Sequence, residues 1–174
     1  MSGLLKWDML KIDESTLQTI KNLDYRKEPH IGFDKTVYPE ACHKQNQHYN
    51  SGHAIKEGTD WAWTDMFVPK DWTDVGLAFD RADPGYIIPW HTDHFANYCN
   101  RFAHDRTKVK RRLVFLEDWK TGHYFQLEND VYTYWRQGEY VEWSSEQAHM
   151  GANVGPEPRY TLQITGVPNE PSIA

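Results

Sequence analysis

Cysteine, long apolar runs and surplus positive charge are all scarce in this chain, and each shortage removes a class of protein. The 174 residues include only 2 cysteines, Cys42 and Cys99, without the paired spacing of a zinc site, so their thiols are expected to be reduced and incidental. Nowhere do eighteen apolar residues run together, and residues 1–8 lack a long apolar core behind a basic start. A soluble, cytoplasmic protein with no signal peptide and no membrane partner is the expectation. The net charge of −6 argues against non-specific nucleic-acid binding, which needs a Lys/Arg surplus to neutralise phosphates. The one basic cluster, Arg101, Arg106, Lys108, Lys110, Arg111 and Arg112, reads as a solvated loop leading into a strand. Internal repeats, linkers and low-complexity segments are missing too, and the length suits a single domain spanning residues 1–174.

Aromatic residues, by contrast, are plentiful. They make up 14% of the chain, as 8 Trp, 10 Tyr and 7 Phe, and favour a β-rich fold with rigid packing. Lys6 to Ile12 reads as a first strand, followed by Asp13-Glu14-Ser15 as the cap of a short helix that carries Leu17, Ile20 and Leu23 and braces the sheet. From Tyr25 to Gly58 the chain is polar and aperiodic, a long loop or lid in which His30, His43, His48 and His53 read as ordinary surface histidines. Strand patterns then recur at Val75–Phe79, Tyr86–His91, Arg111–Leu116, His123–Leu127, Val131–Trp135 and Tyr140–Trp143. Asp83-Pro84-Gly85, Thr121-Gly122 and Gln137-Gly138 punctuate them. Gly151 to Pro158 reads as a polar, turn-rich link into a last strand that opens at Arg159.

Chemistry enters at His91-Thr92-Asp93. In an extended strand, residues two apart share a face, so His91 and Asp93 can reach one ion while Thr92 points away. His149, brought back by the intervening strands, would complete a set of two imidazoles and one carboxylate, the facial ligand set of mononuclear iron oxygenases. Arg159 and Thr161 alternate onto one face of the last strand. A guanidinium fork there, with a hydroxyl beside it, suits a dicarboxylate; taken alone, Arg159 reads better as an exposed edge-strand residue with a cross-strand partner, and the His and Asp residues tip the balance.

His91-Thr92-Asp93, then His149, then Arg159-x-Thr161 resembles the signature of the 2-oxoglutarate and Fe(II)-dependent oxygenases. The segments Trp135-Arg136-Gln137-Gly138-Glu139, Trp143, His149-Met150-Gly151-Ala152-Asn153 and Arg159-Tyr160-Thr161-Leu162 are similar to the aspartyl/asparaginyl β-hydroxylase-like branch. The resemblance covers roughly Asp74 to Gly166. It implies a mainly β protein with a double-stranded β-helix (jelly-roll, cupin-like) core over residues 74–166. Residues 1–73 would supply a few N-terminal supporting helices and a substrate loop. It also implies that His91, Asp93 and His149 bind Fe(II), that Arg159 holds the distal carboxylate of 2-oxoglutarate, and that Thr161 assists. Dioxygen and 2-oxoglutarate would be consumed, a small molecule, amino acid or peptidyl side chain hydroxylated, and succinate and CO2 released.

Around this centre, Arg112 is the rival to Arg159 as carboxylate binder. Trp90, His94, Tyr124, Tyr134, Trp143 and Asn153 are candidates for the substrate pocket or for hydrogen bonds to the ligands, although barrel aromatics are more often plain core. Two other readings stand beside the oxygenase. One is a cupin-like metalloenzyme doing non-redox work such as isomerisation, with Arg159 binding the substrate itself. The other is an aromatic-rich β-sandwich binding module in which the His and Asp residues are structural. Oligomeric state and prime substrate are not legible.

Overall fold

The computed structural model describes residues 4–7, 10, 12–28, 49–54 and 62–169. In chain order its elements are β1 (Leu5–Lys6), α1 (Glu14–Lys21), β2 (Arg26–Glu28), β3 (Tyr49–Ala54), β4 (Trp72–Ala82), β5 (Tyr86–His91), α2 (Ala96–Phe102), β6 (Lys110–Phe115), β7 (His123–Leu127), β8 (Asp130–Tyr132), β9 (Glu139–Ser144), β10 (His149–Asn153) and β11 (Arg159–Pro168). Short 3-10 turns lie at Ala62–Phe67 and Arg106–Lys108.

Pairing follows one rule. Strands β4 to β7 run out, β8 to β11 return, and each outgoing strand pairs antiparallel with its returning counterpart: β4 with β11, β5 with β10, β6 with β9 and β7 with β8. Coiled up, this long double strand makes two sheets, ordered β1-β9-β6-β11-β4-β3-β2 and β5-β10-β7-β8. That is a double-stranded β-helix, the fold class expected from the sequence. In it each strand finds hydrogen-bond partners without parallel crossovers.

The larger sheet is buried on both faces along β6 and β11. Its outer face carries Val114, Leu162 and Ile164 and is covered by Leu17 and Ile20 of α1, with Leu10 and Ile12 alongside. Asp13 caps α1, accepting from the Thr16 amide at 2.7 Å, so the helix forms where the sequence places it and braces the sheet as expected. Between the sheets, Leu113, Phe115, Phe125, Val141 and Trp143 pack into one cluster with Trp135. Phe115 and Trp135 stack with ring centroids 4.0 Å apart and planes 12° from parallel.

Several expectations need correction. The first strand is only Leu5–Lys6, and Leu10 and Ile12 pack as irregular chain under the sheet. Within Tyr25–Gly58, β2 and β3 extend the larger sheet beyond β4. His30, His43 and His48 lie outside the described residues, and His53 falls in β3. The hairpin strand after Asp130 stops at Tyr132, so Trp135 lies beyond it in the core. Gly151–Asn153, read as link, is strand β10. The true link begins at Val154, where Gly122 and Gly155 cross so closely that a Cβ on either would overlap the backbone of the other loop. Two glycines are thus required by one contact.

Trp135→Ala removes a side chain only 1% exposed and leaves a void the two sheets cannot collapse into. The expected loss is about 3–5 kcal/mol, read from urea unfolding against wild type.

Candidate metal centre

The first ligand position depends on a bulge. Tyr86 and Ile88 of β5 face the space between the sheets, and simple alternation would turn Trp90 inward and His91 out. Opposite them, Gly151 pairs with Ile88 but His149 pairs with His91, so β5 carries one residue more than β10 over this stretch. The extra residue sits at Pro89-Trp90, on the edge strand of the smaller sheet. Proline has no N–H to donate to a ladder, and bulges at edges are where it is tolerated. The slip turns His91 inward against His149, ring centroids 4.3 Å apart, and leaves Trp90 37% exposed on the outside.

Asp93 is placed differently from its sequence reading. The strand ends at His91, so no alternation aligns the two residues. Instead Asp93 Oδ2 accepts from Arg111 Nη1 of β6 and from Trp143 Nε1 of β9, each at 2.9 Å. Its Oδ2 is 3.6 Å from His149 Nε2. One nitrogen or oxygen from each of His91, Asp93 and His149 lies within 4.8 Å of the others.

Protonation suits ligation. His91 Nδ1 is 2.8 Å from the Pro89 carbonyl, and His149 Nδ1 is 3.2 Å from the Gln147 carbonyl. A carbonyl only accepts, so each Nδ1 carries the hydrogen and each Nε2 keeps its lone pair for an ion. Burial holds the His91 pKa below that of a free histidine and pushes His149 down to about 4. Burial opposes ionisation of Asp93, but Arg111, His149 and the Trp143 N–H outweigh it and keep the carboxyl below its ordinary value. Two neutral imidazoles and a carboxylate therefore stand ready at neutral pH.

The cavity beside them is small, about 50 Å³. Arg159 lies along its wall, 6% exposed. Nη1 donates to the backbone carbonyls of Tyr124 and Ala152, while the buried Nε has no hydrogen-bond partner. Burial pulls this guanidinium down to about 10 against the opposing pull of Tyr86 and Asp80, so it stays charged. Thr161, Tyr86 and Asp80 line the same space. Gly151 makes room: a Cβ there would lie 3.0 Å from Arg159 Nη2.

Arg112 is not the second arginine of the site. Alternation along β6 sends it to the outer face, where its Cζ lies 4.3 Å from the Tyr140 ring centroid and 4.9 Å from that of Trp72, and it donates to Glu142. Its neighbour Arg111 faces inward. Sequence could not choose between them because β6 is apolar on both faces, with Leu113 and Phe115 inside, Val114 outside.

Of the other candidates, only Trp143 lines the metal cavity, through its bond to Asp93. His94 is exposed, Tyr134 is 56% exposed, and Tyr124 contributes its carbonyl rather than its ring. Asn153 does not touch the His149 ring. Its Nδ2 donates to the carbonyls of Ala82 and Glu157, both at 2.8 Å, and its Oδ1 accepts from the Gly155 amide. It ties β10, the link and the end of β4 together just before Arg159. Asp80, Tyr86, Phe125 and Gln163 were missed. Gln163 was accessible by stepping two residues on from Arg159 and Thr161.

Comparisons with known proteins find distant structural likeness only. Neither a protein-family model nor a curated sequence matches the chain. Solved structures that it resembles include a conserved protein with a double-stranded β-helix domain from Klebsiella pneumoniae, 15% identical over 68% of this chain and 78% of that one, with a TM-score of 0.40. A predicted oxalate decarboxylase from Thermotoga maritima is 12% identical over 69% and 81%, TM-score 0.42. A cupin domain from Schizosaccharomyces pombe is 8% identical over 79% and 69%, TM-score 0.44. Likeness at this level says nothing of ligand or reaction. No helix among the described residues is long and apolar enough to cross a membrane.

The depressed His149 pKa makes stability fall in acid. An unfolded histidine takes up its proton near pH 6.5, the folded one only near pH 4, so between these the unfolded state binds more protons. Stability of the metal-free protein is full above about pH 6.5 and declines as pH drops toward 4. Urea midpoints taken across this window should fall less steeply in His149→Gln; an unchanged slope would refute the assignment.

Proposed function

We propose that the chain is an Fe(II)- and 2-oxoglutarate-dependent dioxygenase that hydroxylates its substrate with release of succinate and CO2. The observation that carries this reading is one cavity lined by His91, His149 and a buried Arg159 whose Nε lacks a partner, with a carboxylate oxygen of Asp93 within 4.8 Å of a ring nitrogen of each histidine. On this reading His91, Asp93 and His149 would hold the iron, with Nε2 of each imidazole as donor. Arg111 and Trp143 fix the rotation of Asp93. Bound iron supplies the chemistry that couples dioxygen and the cosubstrate's oxidative decarboxylation to attack on a C–H bond.

Arg159 binds the distal carboxylate of 2-oxoglutarate, with Thr161 beside it. With Nη1 committed to two backbone carbonyls, the carboxylate meets the Nε edge, whose buried donor is otherwise unsatisfied at a cost of about 1–3 kcal/mol. Leu113, Phe125 and Ile88 give the cavity apolar walls. On this reading residues 74–166 form the catalytic core, and α1 braces its larger sheet through Leu17 and Ile20.

A second reading has its own observation. Asp80 shares the cavity and gives Arg159 a countercharge, which disfavours a second carboxylate. On that reading the protein is a cupin-like metalloenzyme acting without cosubstrate, and Arg159 is structural or meets the substrate directly.

One titration separates them. Metal-free protein under argon, given Fe(II) and then 2-oxoglutarate, is expected to develop the visible charge-transfer band of an iron-chelated 2-oxo acid. Arg159→Ala should weaken cosubstrate binding by about ten-fold or more, the scale of a lost charged hydrogen bond. Iron binding without a band would favour the second reading; no divalent-metal binding would end both. Gly151→Ala, which crowds Arg159, is expected to raise the 2-oxoglutarate concentration at half-band while leaving the iron affinity unchanged.

A further inference from the structure

Asp93 receives more than its orientation needs. Two donors converge on one oxygen: Arg111 Nη1 and Trp143 Nε1 each lie 2.9 Å from Oδ2. The indole N–H, fixed in a residue only 2% exposed, is neutral and suffices to set the rotation of the carboxylate. The guanidinium adds something the indole does not, a full positive charge beside a group that would bind a positive ion.

That charge is held in place. Arg111 Nε donates to Thr165 Oγ1 at 3.1 Å, and its Cζ lies 5.0 Å from the Phe95 ring centroid. Both of these partners are neutral, so Asp93 is the ion-pair partner of Arg111 among the described residues. Contacts with β11 and with Phe95 oppose any swing of the guanidinium away from the centre.

The ligands have no charge left to offset it. His91 and His149 are neutral, each with Nδ1 facing a backbone carbonyl. The cluster of metal-binding side chains among the described residues contains a single carboxylate. The set formed by His91, Asp93, His149 and Arg111 is therefore neutral before an ion arrives, and a divalent ion leaves it with two uncompensated positive charges. This happens largely out of water, since the side chains of Asp93 and His149 are 14% and 7% exposed. Like charges repel far more strongly there than in bulk solvent, and buried charge has to be balanced.

We infer that Arg111 makes a divalent ion and a small chelating dianion bind as a pair: its guanidinium weakens the hold on the ion alone, and a ligand bringing two negative charges restores it. The inference rests on His91, Asp93 and His149 being metal ligands, and on neither reading of the reaction. Ligands are thereby selected by charge, a dianion over a monoanion of the same shape. By linkage the ion raises the affinity of the dianion by the same factor. The metal cavity, at about 50 Å³, favours a small one. Arg111 also lines a second cavity of about 490 Å³, and its side chain is 21% exposed. Screening on that side holds the expected coupling to about ten-fold, within the usual range for linked sites.

The test titrates the full chain, free of metal, with Mn(II) while the EPR signal of the free aqueous ion is followed. Oxalate is the dianion probe, and oxamate, of the same shape with one charge fewer, is its control. Protein-free titrations correct for the complexes that each forms in solution. Arg111→Gln, which removes the charge but keeps an N–H donor, and Arg111→Met are expected to bind Mn(II) alone about ten-fold more tightly than wild type. Arg111→Lys, which keeps the charge, should match wild type. Oxalate should raise the Mn(II) affinity of wild type about ten-fold more than it raises that of Arg111→Gln, and oxamate should separate the two proteins less. Circular dichroism verifies that the variants fold. Mn(II) binding that is weakened or unchanged in Arg111→Gln, as for a residue that only positions Asp93, overturns the inference, as does an oxalate gain equal in wild type and Arg111→Gln. Should no variant fold, equal gains from oxalate and oxamate in wild type overturn it. A wild type that binds no Mn(II) with or without oxalate overturns the metal-centre reading as well, so the two failures are told apart.

Discussion

Everything at the centre of this molecule hangs on a one-residue slip between β5 and β10. Antiparallel pairing fixes which residues face each other, and without the extra residue at Pro89-Trp90 the partner of His149 would be Trp90. The slip costs a ladder hydrogen bond that proline could not have made in any case. In return it turns an imidazole into the interior and puts a large indole out. From that point the chain leaves the strand, and Asp93 is held by hydrogen bonds from two other strands rather than by its own backbone.

The electrostatics of the interior follow from this geometry. Burial would neutralise an isolated carboxyl and discharge an isolated histidine. The two histidines obey this and are neutral, which frees their Nε2 lone pairs. Asp93 escapes it because Arg111 and Trp143 point at the same oxygen. Along the same inner face lie two arginines of different character: Arg111, neutralised by Asp93 and shared between two cavities, and Arg159, buried against backbone carbonyls with Asp80 nearby. The outward-facing Arg112 is packed among aromatic rings with Glu142 and serves the fold. Three arginines on two strands thus divide by the direction each strand gives them into one that holds Asp93, one buried beside Asp80 and one outer brace.

Much of this was readable in the chain. Strand β11 was located from its alternation, α1 from the Asp13 cap and the Leu17 and Ile20 spacing, and β5 from the turn at Asp83-Pro84-Gly85. His91, Asp93, His149, Arg159 and Thr161 were singled out as residue types that bind ions and carboxylates, and the fold brings all five to one region. What failed were arguments from direction. Trp90 was offered as pocket lining and Arg112 as carboxylate binder without a test of which way each faces, and nothing in the pattern showed that Tyr124 would act through its carbonyl.

The sequence by itself determined composition-level facts and local ones: a β-rich domain, the helix cap, the turns, and which side chains carry metal-ligating or anion-binding chemistry. These follow from properties of each residue and its near neighbours. Only the tertiary structure decided which of those side chains meet. A bulge reverses every direction beyond it, a strand buried on both faces has no polar side to mark its outside, and Asp93 is aimed by Arg111 and Trp143, far from it in the chain. Such choices are set by pairing between distant strands, which no local pattern encodes.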